Sequence, residues 1–354
     1  PGGSTTPAAV VSAATQMSYA EKRILIQALP AFGNIVYAAQ NGAPGGTADD
    51  TQALLDLILA VPLGTFIALS SGVTYSVQPD ALAWNRAGVV IGSFSQAHDM
   101  SNAACPRIKI LADGGFAVKV GGAANYSAGT MWMSAGMHGV AIDFDGKKFS
   151  DSALVYEGLS KAVFSHNMLI RCGQDIVGRG SRLWRLRAVW DSTFFNNFIN
   201  TICNPGAPLI YFDGVIGDQS GNCNNLRWVE NQLENLSGKV FASAANSNLD
   251  ACTWAGNKIE ANSSLTRVSS TENFVWDLDN AQRSTIDGRN TVNRIVSGRW
   301  AGIYRFGATA SSNFNSARFN NYYECSAKEV VNGVGAKFTD VSSNTNTNAP
   351  STME

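Results

Sequence analysis

RWVENQLEN at 227–235 is followed, 26 residues on, by its echo in TWAGNKIEAN at 253–262. Trp228 answers to Trp254, Asn231 to Asn257, Leu233 to Ile259 and Glu234 to Glu260. The kernel is Asn, any residue, an apolar residue, then a polar one. It recurs with Asn197, Ile199 and Asn200, with Asn290, Val292 and Asn293, and with Asn321, Tyr323 and Glu324. A weaker copy has Asn167 and Leu169, and an earlier one keeps Ile142 and Asp143 but has Val140 in the Asn place. Counted from 140, the intervals are 27, 30, 34, 26, 33 and 31 residues. Recurrence of this length indicates a repeat architecture.

The surroundings of the repeat are strand-like. Short apolar runs such as GVVIGSF, RIKILAD, FAVKVGG and GVAIDFDG alternate with Gly, Asn and Asp, the pattern of strands separated by tight turns. Helical solenoids are excluded by the lack of helices. Leucine-rich repeats and propellers are disfavoured because their signatures are missing. What fits is a parallel β-helix, in which each repeat forms one coil and successive coils stack as parallel sheets. Residues two apart on a strand share a face. Asn231 and Leu233 then point inward, and Gln232 and Glu234 outward. Inward amides are expected to bond coil to coil as an asparagine ladder, with the aliphatic residues in a core column.

Composition bounds the function. The chain has 354 residues, 45% apolar and 15% charged, with 34 glycines and a formal net charge of −1. That balance gives no electrostatic case for nucleic acid or for an anionic membrane surface. No apolar run reaches the ~18 residues of a membrane span. Six scattered cysteines (Cys105, Cys172, Cys203, Cys223, Cys252 and Cys325) show no metal-ligand spacing, and buried thiols are favoured over disulfides. Neither a metal nor a cofactor is expected. The PGGSTTPAAVVSAAT stretch at the start has no basic n-region of a signal peptide, and sequence upstream of Pro1 is expected to be missing.

One helix stands out, about 49–61, within ADDTQALLDLILAVPLG. Asp49 or Asp50 can accept its first free N–H groups. Leu54, Leu55, Ile58 and Leu59 form an apolar stripe, and Pro62 and Gly64 end it. Two short strands around a Ser-Ser-Gly turn are expected next. The chain divides into a flexible segment 1–33, a cap with first coils 34–100, a β-helix body 101–335 and a polar tail 336–354.

The stretch NGAPGGTADDTQALLDLILAVPLGTFIALSSGVTYSV resembles the opening segment of the pectate-lyase-like β-helix superfamily. Asn41 and Gly42 stand for its Asp-Gly, while Asp49, Asp50, Thr51 and the Gly72–Tyr75 stretch match. The resemblance covers about residues 34–78. It implies an all-β, right-handed parallel β-helix with one short N-terminal capping α-helix. It also implies a homotrimer, and a bacteriophage tailspike that binds and depolymerises capsular polysaccharide or lipopolysaccharide O-antigen. In that reading the protein sits in the virion tail, joined to other tail proteins through the missing N-terminal region. Alternatives are a receptor-binding tail fibre of the same fold without catalysis, and a secreted bacterial polysaccharide lyase.

For glycoside hydrolysis the candidate acids are Glu234 and Glu260, which stacked coils place roughly 5 Å apart, near the spacing of a retaining pair. Glu324, two repeats beyond Glu260, lies at about twice the strand spacing, toward the inverting range. Asp213 and Asp218 are further candidates, in the YFDGVIGDQSGNCNN stretch that lengthens one coil. Trp228, Trp254 and Arg227 are the candidate sugar-binding residues, with the core or a trimer interface an equal alternative for the two tryptophans. The row Arg182, Arg185 and Arg187 suits a solvated face, a subunit contact or acidic sugars. His166 with Arg171 is the one constellation for a lyase.

Overall fold

The computed structural model describes residues 34–94, 105–127, 132–171, 182–200, 208–216, 219–236, 238–261, 273–295, 300–307, 312–313 and 315–325, and the short pieces 328–332, 336–337, 340–342 and 344–347. Their strands form a parallel β-solenoid. One sheet has eleven strands, a second ten and a third fifteen, and successive coils hydrogen-bond in parallel. In one coil the chain passes through Arg227–Val229, Gln232–Leu236, Phe241–Ser243 and Leu249–Asp250. The next coil repeats this with Thr253–Ala255, Lys258–Ala261, Phe274–Leu278 and Ala281–Gln282. Both last segments of a coil belong to the third sheet. They fuse in the nine-residue strands Ser152–Ser160 and Arg182–Trp190, which bend at Gly158 and Ala188, both with positive φ.

The echo is coil register. Trp228 pairs with Trp254 in the first sheet, and Leu233 with Ile259 in the second. Between these sheets the chain turns on a left-handed residue such as Asn196, Glu230 or Gly256, followed by the buried Asn. The ladder is continuous. Each backbone N–H of Asn167, Asn197, Asn231 and Asn257 donates to Oδ1 of the next coil's Asn at 3.0 Å. Each Nδ2 also reaches back to a first-sheet carbonyl one coil earlier, as from Asn231 to Phe194 at 2.9 Å and from Asn257 to Trp228 at 2.9 Å. At the start, the Val140 N–H donates to Asn167 at 3.1 Å; a valine suffices there because it has no earlier amide to receive.

Inside run the aliphatic column (Ile142, Leu169, Ile199, Leu233, Ile259 and Val292) and an aromatic one. Phe194 and Trp228 stack at 4.3 Å, and Trp184 meets both edge-on. Burial of such large rings is the main stabilising contribution, about 25 cal/mol per Å² of apolar surface.

The N-terminal helix is Thr51–Ala60, and its buried face is Leu54, Leu57 and Ile58. Leu59, expected inside, is 62% exposed; the core meets the 54, 57, 58 edge of the 3.6-residue period instead. Asp49 accepts the Thr51 N–H at 3.0 Å, as an N-terminal carboxylate should. Asp50 instead ties the cap to the first coil by accepting from the Ser76 N–H at 2.9 Å. The strands flanking the Ser-Ser-Gly turn, Thr65–Ala68 and Thr74–Val77, are not a hairpin. They lie in different sheets and each pairs with the following coil. Two helical turns went unforeseen, Ala38–Asn41 and Ala123–Ser127. Cys105, Cys223, Cys252 and Cys325 are buried free thiols, and burial pushes Cys223 up to about 12. Cys172 and Cys203 lie outside the described residues.

Candidate functional site

Among the charged clusters of the described residues, two on different sheets contain the candidate acids. The first contains the stacked glutamates. Lys258, opposite Gln232 in register, puts its ammonium 3.0 Å from Glu234 and 3.4 Å from Glu260. Arg294 continues the line, 2.9 Å from Glu260 and 3.1 Å from Glu324. The result is an alternating ladder of three carboxylates and two cations. The strand register shifts after Leu233, and Lys258 bridges Glu234 and Glu260 while Arg294 bridges Glu260 and Glu324. The hydrogen bond to Glu234, above all, holds the Lys258 ammonium above its ordinary range.

Glu324 corrects the spacing argument. The last repeat is one residue out: Asn320 is the ladder amide, Tyr322 faces inward and Tyr323 pairs with Asn293. Glu324 therefore falls on a left-handed turn residue and meets Glu260 only through Arg294. The register slip also hid an aromatic. Tyr323, 43% exposed, stands on the outer face in line with Asn293 and Glu260.

Trp228 and Trp254 are not available to a sugar. They are 1% and 0% exposed and belong to the aromatic column. Arg227 is exposed but lies on the first sheet, beside Thr193 and Thr253. Adjacency in sequence therefore separates Arg227, Trp228 and Glu234 in space, because alternate strand residues face opposite sides and the ladder turn changes sheet. The His166–Arg171 pairing also fails. His166 is buried at the corner after the first sheet, against His138 and Phe195. Arg171 follows the second sheet and binds Asp143, Nε to Oδ1 at 2.8 Å.

The second cluster is on the third sheet. Glu157, on Ser152–Ser160, is 3% exposed and meets three cations: Lys119 at 2.9 Å, Arg185 at 3.1 Å and Arg187 at 3.3 Å. Arg185 also binds Asp151 at 2.8 Å. Arg187 turns its other edge to Asp213, with Nε at 3.0 Å and Nη2 in close contact. Asp213 follows Ile210–Phe212 and opens the lengthened coil. There a two-stranded antiparallel hairpin, Val215–Ile216 with Gln219–Ser220, rises beside the helix Ala123–Ser127. Two insertions thus wall one edge of the cluster. Asp218 lies outside the described residues. Next to Arg185 in register is Tyr211, with the Arg182 guanidinium 4.1 Å over its ring. Burial raises the Tyr211 hydroxyl above its ordinary value, against the opposing pull of Arg182.

Glu157 was missed from sequence. Its signal is a lone carboxylate in the apolar strand SALVYEGLS, next to the core residue Tyr156 and so on the outer face. Only the parallel pairing of that strand with Arg182–Trp190, Glu157 opposite Arg187, turns the arginine row into a partner.

No family model matches the chain. By structure it is similar to the protein ORF18 of Geobacillus virus E2, with a TM-score of 0.52 and 14% identity over 93% of this chain and 64% of that one. It is also similar to PfbA, a surface adhesin of Streptococcus pneumoniae, with a TM-score of 0.50 and 10% identity over 83% of this chain and 80% of that one. A weaker likeness, TM-score 0.49 and 10% identity, covers 90% of this chain and 40% of the alginate lyase AlyGC. The chain spans 64% of the virus protein's length. Fold and comparisons together define the class: the chain is a parallel β-helix protein. Among the described residues no helix is long and apolar enough to cross a membrane, and no group of three or more His, Cys, Asp or Glu could hold a metal.

Proposed function

We propose that the protein is a tailspike-like depolymerase that binds a bacterial capsular polysaccharide or lipopolysaccharide O-antigen and hydrolyses it on the outer face of the third sheet. The observation that carries this reading is the shared Arg187, which holds a buried Glu157 on one edge and a solvent-bordering Asp213 on the other. In this reading Asp213, 17% exposed at the edge of the hairpin, is the acid toward the glycosidic oxygen and Glu157 the base toward the attacking water. The stacked Glu234 and Glu260 form the second candidate pair, on the other face. In this reading the chain works in the virion tail as a homotrimer, which sedimentation equilibrium tests.

The deciding experiment is mass analysis of capsule and lipopolysaccharide panels after incubation with wild type, Asp213→Asn, Glu157→Gln, Glu234→Gln and Glu260→Gln. Loss of oligosaccharide release in Asp213→Asn and Glu157→Gln, with binding retained, is expected. Loss only in the Glu234 and Glu260 variants moves the chemistry to the second sheet. A second reading, a receptor-binding fibre without catalysis, rests on a specific observation: each of Glu157, Asp213, Glu234, Glu260 and Glu324 already has a cation partner. Wild type that binds a glycan and releases nothing supports it.

A further inference from the structure

On the outer face of the third sheet, Lys119, Arg185, Arg187, Lys239 and Arg305 each lie within ion-pair distance of an Asp or Glu. Arg182 is the exception. Among the described residues no carboxylate meets it, and its guanidinium lies instead on the Tyr211 ring at 4.1 Å. A stacked guanidinium uses one flat face for the ring and keeps its in-plane N–H donors for something else. The ring also fixes the side chain's orientation, so little rotamer entropy is left to lose when those donors bind.

The neighbours make the position useful. Arg185 is opposite Tyr211 in register, and Asp213 lies two residues along the same strand direction, about 6.6 Å away. The Arg182 guanidinium, over the Tyr211 ring, therefore lies on the same outer face as the proposed acid, which follows Tyr211 by two residues. With a net charge of −1 over the whole chain, attraction for an anion here is local. We infer that Arg182, stacked on Tyr211, is a subsite for a negatively charged substituent of the glycan, a carboxylate or an ester sulfate, next to the unit whose bond Asp213 addresses. The inference rests on the third-sheet outer face being the glycan-binding face.

Affinity electrophoresis through gels containing polygalacturonate, dextran sulfate or neutral dextran tests it, with wild type, Arg182→Gln and Arg182→Lys. Circular dichroism melts establish that the variants are folded. Retardation of wild type by polygalacturonate, dextran sulfate or both, but not by dextran, is expected. It should weaken at least tenfold in Arg182→Gln and partly in Arg182→Lys, which keeps the charge but loses the planar fork. Which polymer retards more identifies carboxylate or sulfate. Equal retardation of wild type and Arg182→Gln overturns the subsite, as does no retardation by either anionic polymer. An Arg182→Gln variant that binds and cleaves like wild type, while Asp213→Asn does not cleave, removes the subsite and leaves the hydrolase reading standing. An Arg182→Gln variant that loses binding, with Asp213→Asn fully active, does the reverse.

Discussion

The side-chain amide of Asn290 donates to Oδ1 of Asn320 at 2.8 Å, across one coil, while Asn321 beside it faces solvent opposite Thr291. Two consecutive asparagines thus have opposite status. Asn320 also donates Nδ2 to the Ile286 carbonyl at 2.8 Å and its backbone N–H to Asn344 at 2.9 Å.

The first prediction follows from that contrast. Replacing Asn320 by Ala removes the side-chain donor of the Ile286 carbonyl and the acceptor of one Asn290 amide N–H in the interior, Asn290 keeping only its bond to the Trp254 carbonyl, a loss of about 1–3 kcal/mol. Asn321→Ala should change stability by less than about 0.5 kcal/mol. Urea denaturation of the two variants reads the difference, and equal midpoints would place the ladder register wrongly.

Trp228 is a stability residue. Trp228→Ala removes a ring packed on Phe194, Trp184 and Phe241 and should cost about 3–5 kcal/mol. Trp228→Phe keeps most of the packing, and its glycan retardation should equal that of wild type. A selective loss of binding in a folded Trp228→Phe would restore the tryptophan to the sugar site.

Lys258 is expected to matter little for folding. Its side chain is 42% exposed, and surface ion pairs contribute about 0–1 kcal/mol. Lys258→Met should lower the melting temperature slightly at low salt and less at high salt, as screening removes the ladder's attraction in wild type as well. A large salt-independent drop would mean that the aliphatic stem, not the charge, holds the second sheet's outer face.

Acid should weaken the first sheet through His138. Burial pushes its imidazole from the ordinary 6.5 down to about 4, with Ser165 on Nδ1 at 2.8 Å and the rings of His166 and Phe66 against it. Between these values the unfolded chain binds a proton that the folded chain does not. Stability is therefore full above 6.5, falls as pH drops through the window, and stops falling below about 4 from this cause. With solvent screening at a half-buried ring, the loss is on the order of 2 kcal/mol. As pH falls through that window the urea midpoint of wild type should drop more steeply than that of His138→Gln, so the gap between them narrows toward pH 4; parallel curves would exclude His138.

How much was legible from residues alone is seen at Glu234 and Glu157. The repeat reveals Glu234 because its neighbours Asn231 and Leu233 recur in the next coil, so its outward direction and its partner Glu260 follow from counting. Glu157 has no counterpart one repeat away. Its importance comes from Arg185 and Arg187, 28 and 30 residues later, and from which of them the coil register sets opposite it. The one-residue error at Asn320 and Asn321 has a similar origin: adjacent identical residues give the pattern no preference, and only burial chooses between them.

By itself the sequence determined the solenoid, its ladder and its capping helix. Those depend on local strand alternation and on a repeat that brings like residues together coil after coil. The tertiary structure decided which side chains remain outside and which charges meet. It sent Trp228 and Trp254 inward, Arg227 to another sheet, and Asp213 to Glu157 through Arg187. Those outcomes depend on how far each turn rotates the chain and on where the lengthened coil projects, and these are set by packing between coils that no single repeat encodes.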